Sequence, residues 1–406
     1  MFTNRNIVLG VTGSIAAYKA VELASRLTQA GGNVDVVMTK AATEFVTPLT
    51  LGSITHRPVH TDMFAPSSDV DMEHIVLAER ADLVVVAPAT ANIIAKLAAG
   101  ISDDLLCCTV LATRAPLILA PAMNVHMYEN AITQDNLAKL RARGFSIVEP
   151  AYGPLACGEV GSGRLADIED ILGIIRQVLA RGGDLTGKRL VVTAGGTQEP
   201  IDPVRYIGNR SSGKMGYALA GAARDRGAEV ILIAAPTALP VPVGIEVIQV
   251  QTALEMREEV LRAAPRASAL IMAAAPADFR PQSSAQSKIK KETAKLVLEL
   301  VRNPDILSEV GGELVKVGFA AESEDLIPNA TQKLHQKRLD LIVANDITAQ
   351  DSGFAVDTNR VVLIDRWGNV EKLPLLTKLE VAHRVLGKVV ELLGKGRTQS
   401  IESTNW

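Results

Sequence analysis

The sequence predicts an α/β protein built from two doubly wound parallel sheets, and three observations carry that prediction. The chain has 406 residues, beyond the length at which a single core keeps growing, so two domains are expected. Short apolar runs alternate with segments of helical spacing, and this rhythm begins twice, once in "NIVLGVTG" and again in "RLVVTAGGT". Hydrophobic residues make up 48% of the chain but aromatics only 3%, so the cores must be built from Ala, Val, Ile and Leu. That composition suits parallel strands covered by helices on both faces.

The first half can be read element by element. "NIVLGVTG" is an apolar strand closing on glycine. "SIAAYKAVELASRLTQAGG" has helical apolar spacing and a Gly-Gly stop. "VDVVMT" is the next strand. "LVVVAPAT" leads into the helix "ANIIAKLAAG", and "PLILAPAMN" leads into the helical "AITQDNLAKLRARG". "FSIVEP" is a last strand, followed by a helix through "DIEDILGIIRQVLARGG". A first domain is expected over residues 1–181, a linker over 182–187 and a second domain over 188–406.

The second half repeats the alternation. After "RLVVTAGGT" come the strands "EVILIAAP", "IEVIQV", "ALIMAAA", "LVKVGFAAE" and "DLIVAND", with helices between them. "FRPQSSAQSKIKKETAK" is polar, basic and without periodicity, and reads as a mobile loop. "RVVLIDRWGNVEKLPL" reads as a β-hairpin turning at Trp367-Gly368-Asn369, before a final helix "LLTKLEVAHRVLGKVVELLG".

Bulk properties exclude several functions. A net charge of −3 gives no electrostatic case for nucleic acid or an anionic membrane surface. Cys107, Cys108 and Cys157 are the only cysteines, with no disulfide framework and no zinc-ligand spacing. A reducing, cytoplasmic setting is expected. The N-terminal apolar run is too short for a signal segment, and no run reaches the roughly 18 residues of a membrane span.

Candidate ligand chemistry in the first half gathers at strand ends. Gly13-Ser14 stands at a strand-to-helix turn, where free N–H groups and the helix dipole favour a phosphate. Thr39, "APATAN" at 87–92 and "APAMN" at 120–124 close three further strands. Ligands of open α/β sheets bind beyond the carboxyl ends of strands, so these ends together outline a mononucleotide pocket. GxGxxG is absent. His74 is by itself an ordinary helix-surface histidine, but beside a pocket it gains an acid/base or carboxylate-binding role. Asn124 could be a helix cap or a carboxylate donor. Cys107 and Cys108 lie in an apolar helical run and read as core.

The motifs "GSIAAYK", "DMEHI", "APATANIIAKLAAGISDDLL", "PAMN" and "ACGEVGSGR" occur in that order. Over about residues 1–180 the chain resembles the flavin-dependent cysteine decarboxylases, specifically the phosphopantothenoylcysteine decarboxylases. The resemblance implies a flavodoxin-like flavoprotein domain that holds FMN on Gly13, Ser14, Ile15, Thr39, Thr90, Asn92 and Ala122. It implies catalysis by His74, Asn124 and Cys157, the cysteine lying in a flap whose glycines, Gly161 to Gly163 included, let it move. The type of chemistry accords with those residues. Flavin oxidation of a thiol creates an electron sink for loss of carbon dioxide, and an acid then protonates the ene-thiolate.

In the second half "GNRSSGKMG", Gly208 to Gly216, approaches the P-loop pattern but carries Met215 where a hydroxyl must bind magnesium. Asp278 closes a strand, and Lys288, Lys290 and Lys291 gather in a polar loop, either solvated or bringing positive charge onto phosphates. "TAGGTQEPIDPVRYIGNRSSGKMG", "KIKK", "NPDIL", "VGFAAE" and "LDLIVAND" resemble the phosphopantothenate–cysteine ligases from about residue 188 to the last helix. The resemblance implies a Rossmann-like nucleotide-binding domain using CTP and Mg2+. It places Asn209 at an acyl-cytidylate and makes Lys288 catalytic. CTP would contact Ala273, Ala274, Asp278, Lys288, Asn303, Pro304, Asp305, Ile306, Phe319, Lys333 and Lys337. Magnesium ligands are left unassigned. Pro276 and Arg210 depart from the usual aliphatic residue and histidine of that family.

The expected activity is therefore bifunctional. Cysteine is ligated to 4′-phosphopantothenate, and the product is decarboxylated to 4′-phosphopantetheine. The resemblance also implies trimeric decarboxylase and dimeric ligase contacts, which a dodecamer satisfies. The alternatives are a flavin-binding oxidoreductase and a non-catalytic flavin-binding regulatory protein.

Overall fold

The computed structural model describes residues 2–64, 72–155, 158–290, 296–322, 325–346 and 356–395. Its contacts divide the chain into two units, Met1–Leu179 and Ala180–Trp406. Both are α/β with parallel sheets. Among the described residues no helix is long and apolar enough to cross a membrane.

In the first unit, the strands of the sheet and their helices follow the expected alternation. They are β1 (Asn6–Val11), α1 (Ala17–Gln29), β2 (Asn33–Met38), α2 (Pro48–Thr55), β3 (Val59–His60), α3 (Glu73–Arg80) and β4 (Leu83–Ala89). Next come α4 (Ala91–Ala99), α5 (Leu105–Ala112), β5 (Leu117–Pro121), α6 (Val125–Glu129), α7 (Ala131–Ala142) and β6 (Ser146–Ile147). A hairpin of β7 (Ala151–Pro154) and β8 (Val160–Arg164) precedes α8 (Ile168–Leu179). The six-stranded sheet has the order β3-β2-β1-β4-β5-β6. All its pairings are parallel.

Alternation along a strand sends successive side chains to opposite faces, and here each face has its own core. Ile7, Leu9 and Val11 pack with Leu23, Leu27, Leu51 and Ile175. Val8, Val84, Val86 and Leu119 pack with Ile93, Leu106, Val110 and Leu140. Every residue of β4 is buried. The sheet has one strand more than the flavodoxin-like winding, 2-1-3-4-5, expected for this half: the two-residue β3 adds itself at the edge beside β2. Two half-buried residues are too short a run to show as an apolar strand in the sequence.

The second unit contains β9 (Arg189–Ala194), β10 (Gln198–Pro200), β11 (Tyr206–Gly208), α9 (Lys214–Arg224), β12 (Glu229–Ala234), β13 (Glu246–Gln249), α10 (Ala253–Ala263) and β14 (Ala269–Met272). It continues with β15 (Phe279–Pro281), β16 (Leu300–Arg302), α11 (Ile306–Glu309), β17 (Val315–Glu322), α12 (Leu326–Gln336) and β18 (Leu341–Asp346). Then follow β19 (Thr358–Asn359), β20 (Val361–Asp365), β21 (Val370–Lys372), β22 (Leu376–Thr377) and α13 (Lys378–Lys395). The main sheet has eight strands in the order β13-β12-β9-β14-β17-β18-β20-β21, antiparallel only where β20 and β21 join. The expected hairpin turns at Gly368, which takes a φ of 85°, under an Asp365 carboxylate that accepts the amides of Trp367 and Asn369 at 3.0 Å.

Two expectations are corrected here. Residues 182–187 are not a free linker. Leu185 is fully buried in the second core, and Asp184 accepts from Arg226 at 2.9 Å. Of the glycines that suggested flexibility, Gly183 serves close packing, since a Cβ on it would lie 2.3 Å from the Arg226 carbonyl oxygen, while Gly182 and Gly187 take positive φ of 89° and 74°. The polar stretch "FRPQSSAQSKIK", 279–290, is likewise anchored, and the rest of the expected loop, 291–295 with Lys291, lies outside the described residues. β15 pairs with β16, and Ala285 N donates to Ile201 O at 2.9 Å. Replacing Leu185 by Ala is expected to destabilise the second unit by about 2–5 kcal/mol. The test is the denaturant midpoint of the transition belonging to that unit.

Candidate functional site

The first site forms where the carboxyl ends of β1, β2, β4 and β5 converge. Thr12 follows β1 and is buried. Its hydroxyl donates to Pro88 O at 2.7 Å and accepts from Thr90 N at 3.1 Å. Thr39 N donates to Val11 O, and Ala122 N to Ala89 O, both at 3.0 Å. These bonds hold four chain ends in one polar edge.

That edge lines a cavity of about 540 Å³ whose walls include Gly13, Ser14, Thr39, Thr90, Asn92 and Ala122. A second cavity of about 480 Å³ shares Ser14, Ala122 and Met123 with it and adds Ile15, Tyr18, Asn124, Leu155 and Arg164. Six of the seven expected FMN positions thus line the first cavity, and Ile15 lines its neighbour. The Thr39 hydroxyl is buried without a hydrogen-bond partner among the described residues, an unmet polar group of the kind a ligand satisfies. At α1 the N-cap is Ala16, which offers no side-chain cap; Ser14 closes the turn instead, its carbonyl accepting from Ala17 N at 2.8 Å and its hydroxyl from Ala16 N at 3.3 Å. The residues fit an anionic mononucleotide.

Sequence reasoning did not single out Thr12, Lys40, Lys96 or Asp104, which also line the first cavity. Thr12 and Lys40 are marked only by following β1 and β2, whereas Lys96 lies within α4 and Asp104 caps α5. Lys96 bridges Asp103 at 2.8 Å and Asp104 at 3.2 Å, and its bond to Asp103 raises its own pKa. Asp103, Asp104 and Cys107 come within ligand distance of one another, but Lys96 already pairs with both carboxylates. Burial pushes the Cys107 thiol well up, consistent with its core assignment.

Asn124 caps α6, its Oδ1 accepting from His126 N at 2.8 Å. Its Nδ2 donates to Glu159 Oε2 at 3.0 Å, and His126 Nε2 lies 3.3 Å from Glu159 Oε1. Cap and carboxylate donor are therefore one residue using its two ends. Cys157 lies outside the described residues. On either side of it, Gly158 N donates to Leu155 O at 2.9 Å and Leu155 N to Glu159 O at 2.8 Å. Gly161 and Gly163, read from the sequence as a hinge, are closely packed. A Cβ on Gly161 would sit 2.6 Å from Val125, and one on Gly163 only 2.4 Å from Met123 O. These glycines let β8 press against the Met123-Asn124 backbone, where Met123 N donates to Gly163 O at 2.9 Å. His74 sits half-buried at the start of α3 and lines neither cavity.

The second site builds on the ends of β9 and β14. Thr193 Oγ1 accepts from Ala274 N at 3.1 Å, and Thr197 Oγ1 from Ala277 N at 2.9 Å. Asn209 Nδ2 donates to Pro276 O at 2.9 Å. The departure at Pro276 is harmless to that contact, because any residue supplies the carbonyl. A Cβ on Gly196 would lie 2.5 Å from Asn209 O. Asn303 is buried, its Nδ2 donating to Ala277 O at 2.8 Å and its amide to Asp278 O at 2.8 Å. Asp305 caps α11 and pairs with Lys337 at 3.0 Å. Burial, the largest single effect, would raise its carboxyl, but the bond and charge of Lys337 and the hydrogen bonds from Ser308 together outweigh it and the pKa falls.

Asn209, Ala273, Ala274, Asp278, Asn303, Pro304, Asp305, Ile306 and Lys337 thus fall on one connected set of strand ends and caps. Lys333 lies half-buried one turn before Lys337 on α12, Phe319 is half-buried on β17, and Lys288 is exposed. "GNRSSGKMG" is not a P-loop in structure either. It is entered from the hairpin strand β11, and Gly213 caps α9 with a φ of 77°.

Comparisons with known proteins cover nearly the whole chain. Residues 1–180 match the family described as Flavoprotein. Residues 185–393 match the DNA/pantothenate metabolism flavoprotein C-terminal domain. The chain is 47% identical over 398 residues to the Coenzyme A biosynthesis bifunctional protein CoaBC of Bacillus subtilis (strain 168), covering 97% of this chain and 98% of that protein. It is 46% identical over 393 residues to the protein of the same name from Vibrio cholerae serotype O1, covering 95% and 98%. Among solved structures, the C-terminal domain of a CoaBC protein is 40% identical, covering 52% of this chain and 99% of that one, with a TM-score of 0.46.

Replacing Gly163 by Ala is expected to push β8 off the Met123 carbonyl and break the Met123 N–H bond. Hydrogen exchange at the Met123 amide should then rise by about tenfold or more. Unchanged protection there would mean that the close approach is unimportant.

Proposed function

Because the chain belongs to the family of bifunctional coenzyme A biosynthesis proteins, we propose that its two halves catalyse consecutive steps toward that cofactor. The second unit, read as a Rossmann-like nucleotide-binding domain, joins cysteine to 4′-phosphopantothenate with CTP and magnesium. The carboxylate attacks the α-phosphate to give an acyl-cytidylate and pyrophosphate, and the cysteine amine displaces CMP. The first unit, read as a doubly wound, Rossmann-like flavoprotein domain, decarboxylates 4′-phosphopantothenoylcysteine to 4′-phosphopantetheine. The setting proposed for both is the cytoplasm.

FMN supplies the two-electron oxidation of the substrate thiol and the return of hydride. The chain's residues do the rest. The α1 N-terminus and Ser14 take the phosphate, and the Thr39 hydroxyl completes its hydrogen bonding on the ligand. Asn124 turns its amide donor from Glu159 to the substrate carboxylate. Cys157 donates a proton to the carbon of the ene-thiolate left by loss of carbon dioxide. In the ligase site Asn209 handles the acyl-cytidylate. Lys288, Lys333 and Lys337 offset phosphate charge.

The observation that supports the reading best is the orphaned Thr39 hydroxyl, in a polar cavity that adjoins the one holding Asn124. Ile15 and Tyr18 of the second cavity, and Leu49, Ile132 and Tyr152 elsewhere on the same unit, are all more than 60% exposed, an apolar excess that favours assembly. We propose that trimeric contacts cover it and that His74 reaches the cavity of a neighbouring copy. With dimeric ligase contacts the assembly would be a dodecamer.

Purified protein given 4′-phosphopantothenate, cysteine, CTP and magnesium should yield 4′-phosphopantetheine, followed by mass. A folded, yellow preparation that makes none would overturn the proposal. Cys157→Ser should stop after carbon dioxide loss and accumulate an oxidised aminoenethiol. Full turnover by that variant would remove Cys157 from the acid role. Asn209→Asp should slow ligation by at least about 10²-fold while supplied 4′-phosphopantothenoylcysteine is still decarboxylated. Joint loss of both activities would instead report misfolding.

A further inference from the structure

The stretch "EPIDPVR", 199–205, carries a carboxylate that neither reaction above uses. Asp202 lies in the turn between β10 and β11, and its side chain has no solvent exposure. Its two oxygens do different work. Oδ1 accepts the amides of Val204 and Arg205, both at 2.8 Å, which is the local turn an Asn would make equally well. Oδ2 accepts from Arg205 Nη1 at 3.2 Å. It also accepts from the amide of Ile289 at 3.2 Å, 87 residues further along the chain. Arg205 Nη2 donates in turn to Ile289 O at 3.4 Å.

The backbone of Ile289 is therefore gripped at both its N–H and its C=O by one Asp–Arg pair. Lys288 and Lys290 stand on either side of it. A turn alone needs neither the second oxygen nor the charge, and burying a carboxylate is costly unless its acceptors are filled. Burial alone would raise the Asp202 pKa, but the amides of Val204, Ile289 and Arg205 and the Arg205 charge hold it below the ordinary range. The group is ionised at neutral pH, so the grip persists under working conditions.

We infer that Asp202, through Arg205 and the Ile289 backbone, is a positioning residue of the ligase site that holds the Lys288 backbone in place before substrate arrives. The inference rests on the reading of Lys288 as a catalytic lysine. A lysine on an unpinned loop must be ordered in each turnover, whereas a pinned one starts near its working geometry.

The two oxygens make the test selective. In Asp202→Asn the amide oxygen can keep the Val204 and Arg205 bonds, while its NH2 group faces the Ile289 and Arg205 donors and releases them. Ligation should lose about 10- to 100-fold in kcat with a smaller change in KM for CTP. Exchange at the Ile289 amide should speed up, and decarboxylation of supplied 4′-phosphopantothenoylcysteine should be unchanged. An α-hydroxy acid with the isoleucine side chain at position 289 removes the N–H alone and should reproduce the kcat loss, which decides the matter if Asp202→Asn does not fold. Lys288→Gln separates the two ideas. If it ligates normally, the reading of Lys288 fails and takes the inference with it. If it is inactive while the position-289 ester ligates at the full rate, Lys288 stands and the role of Asp202 is overturned.

Discussion

In both sheets a threonine hydroxyl bridges the carboxyl ends of two strands whose crossovers depart in opposite directions. Thr12 ties the end of β1 to Pro88 and Thr90 after β4. Thr193 and Thr197 tie the end of β9 to Ala274 and Ala277 after β14. Each pair is the first and fourth strand of its sheet in an order that runs 3-2-1-4. At such a switch point the chain ends diverge and backbone groups lose their ladder partners. A buried hydroxyl replaces the missing partners and leaves a crevice open beside it. The sites proposed for both activities descend from that arrangement.

Because the strands are buried on both faces, polar chemistry can stand only at their ends. The loops that carry it are held there by close backbone contact. Gly163 against Met123 and Gly196 against Asn209 are the clearest cases, and any Cβ would collide with a carbonyl oxygen in each. These glycines fix loops in place. Asn124 and Asn209 then present amide groups from rigid backbone, one through a helix cap and one through the Pro276 carbonyl.

Charge is handled by pairing within each site. Lys96 answers Asp103 and Asp104, Lys337 answers Asp305, and Glu159 meets both Asn124 and His126. A Glu159 carboxylate on the Asn124 amide marks a place suited to the carboxylate of a substrate. The Asp202–Arg205 pair differs in acting on backbone 87 residues away, which links the motif around Asn209 to the lysines after Ser287.

The sequence alone determined the two α/β units, the sheet strands of the first except the two-residue β3, the hairpin at Gly368 and the strand ends bearing Gly13, Thr39, Thr90 and Ala122. Those features are local: burial on both faces leaves unbroken apolar runs, and helices leave a 3.6-residue spacing. The tertiary structure decided the rest. It set the strand order, because an alternating pattern does not say on which side a crossover lands. It packed Leu185 where composition suggested a linker. It turned Gly161 and Gly163 from a supposed hinge into contact points. It gave Thr12 and Asp202 hydrogen-bond partners that the motifs do not assign. Each of these depends on partners far apart in the chain, and a hydrogen bond across such a separation leaves no periodic trace in the residues between.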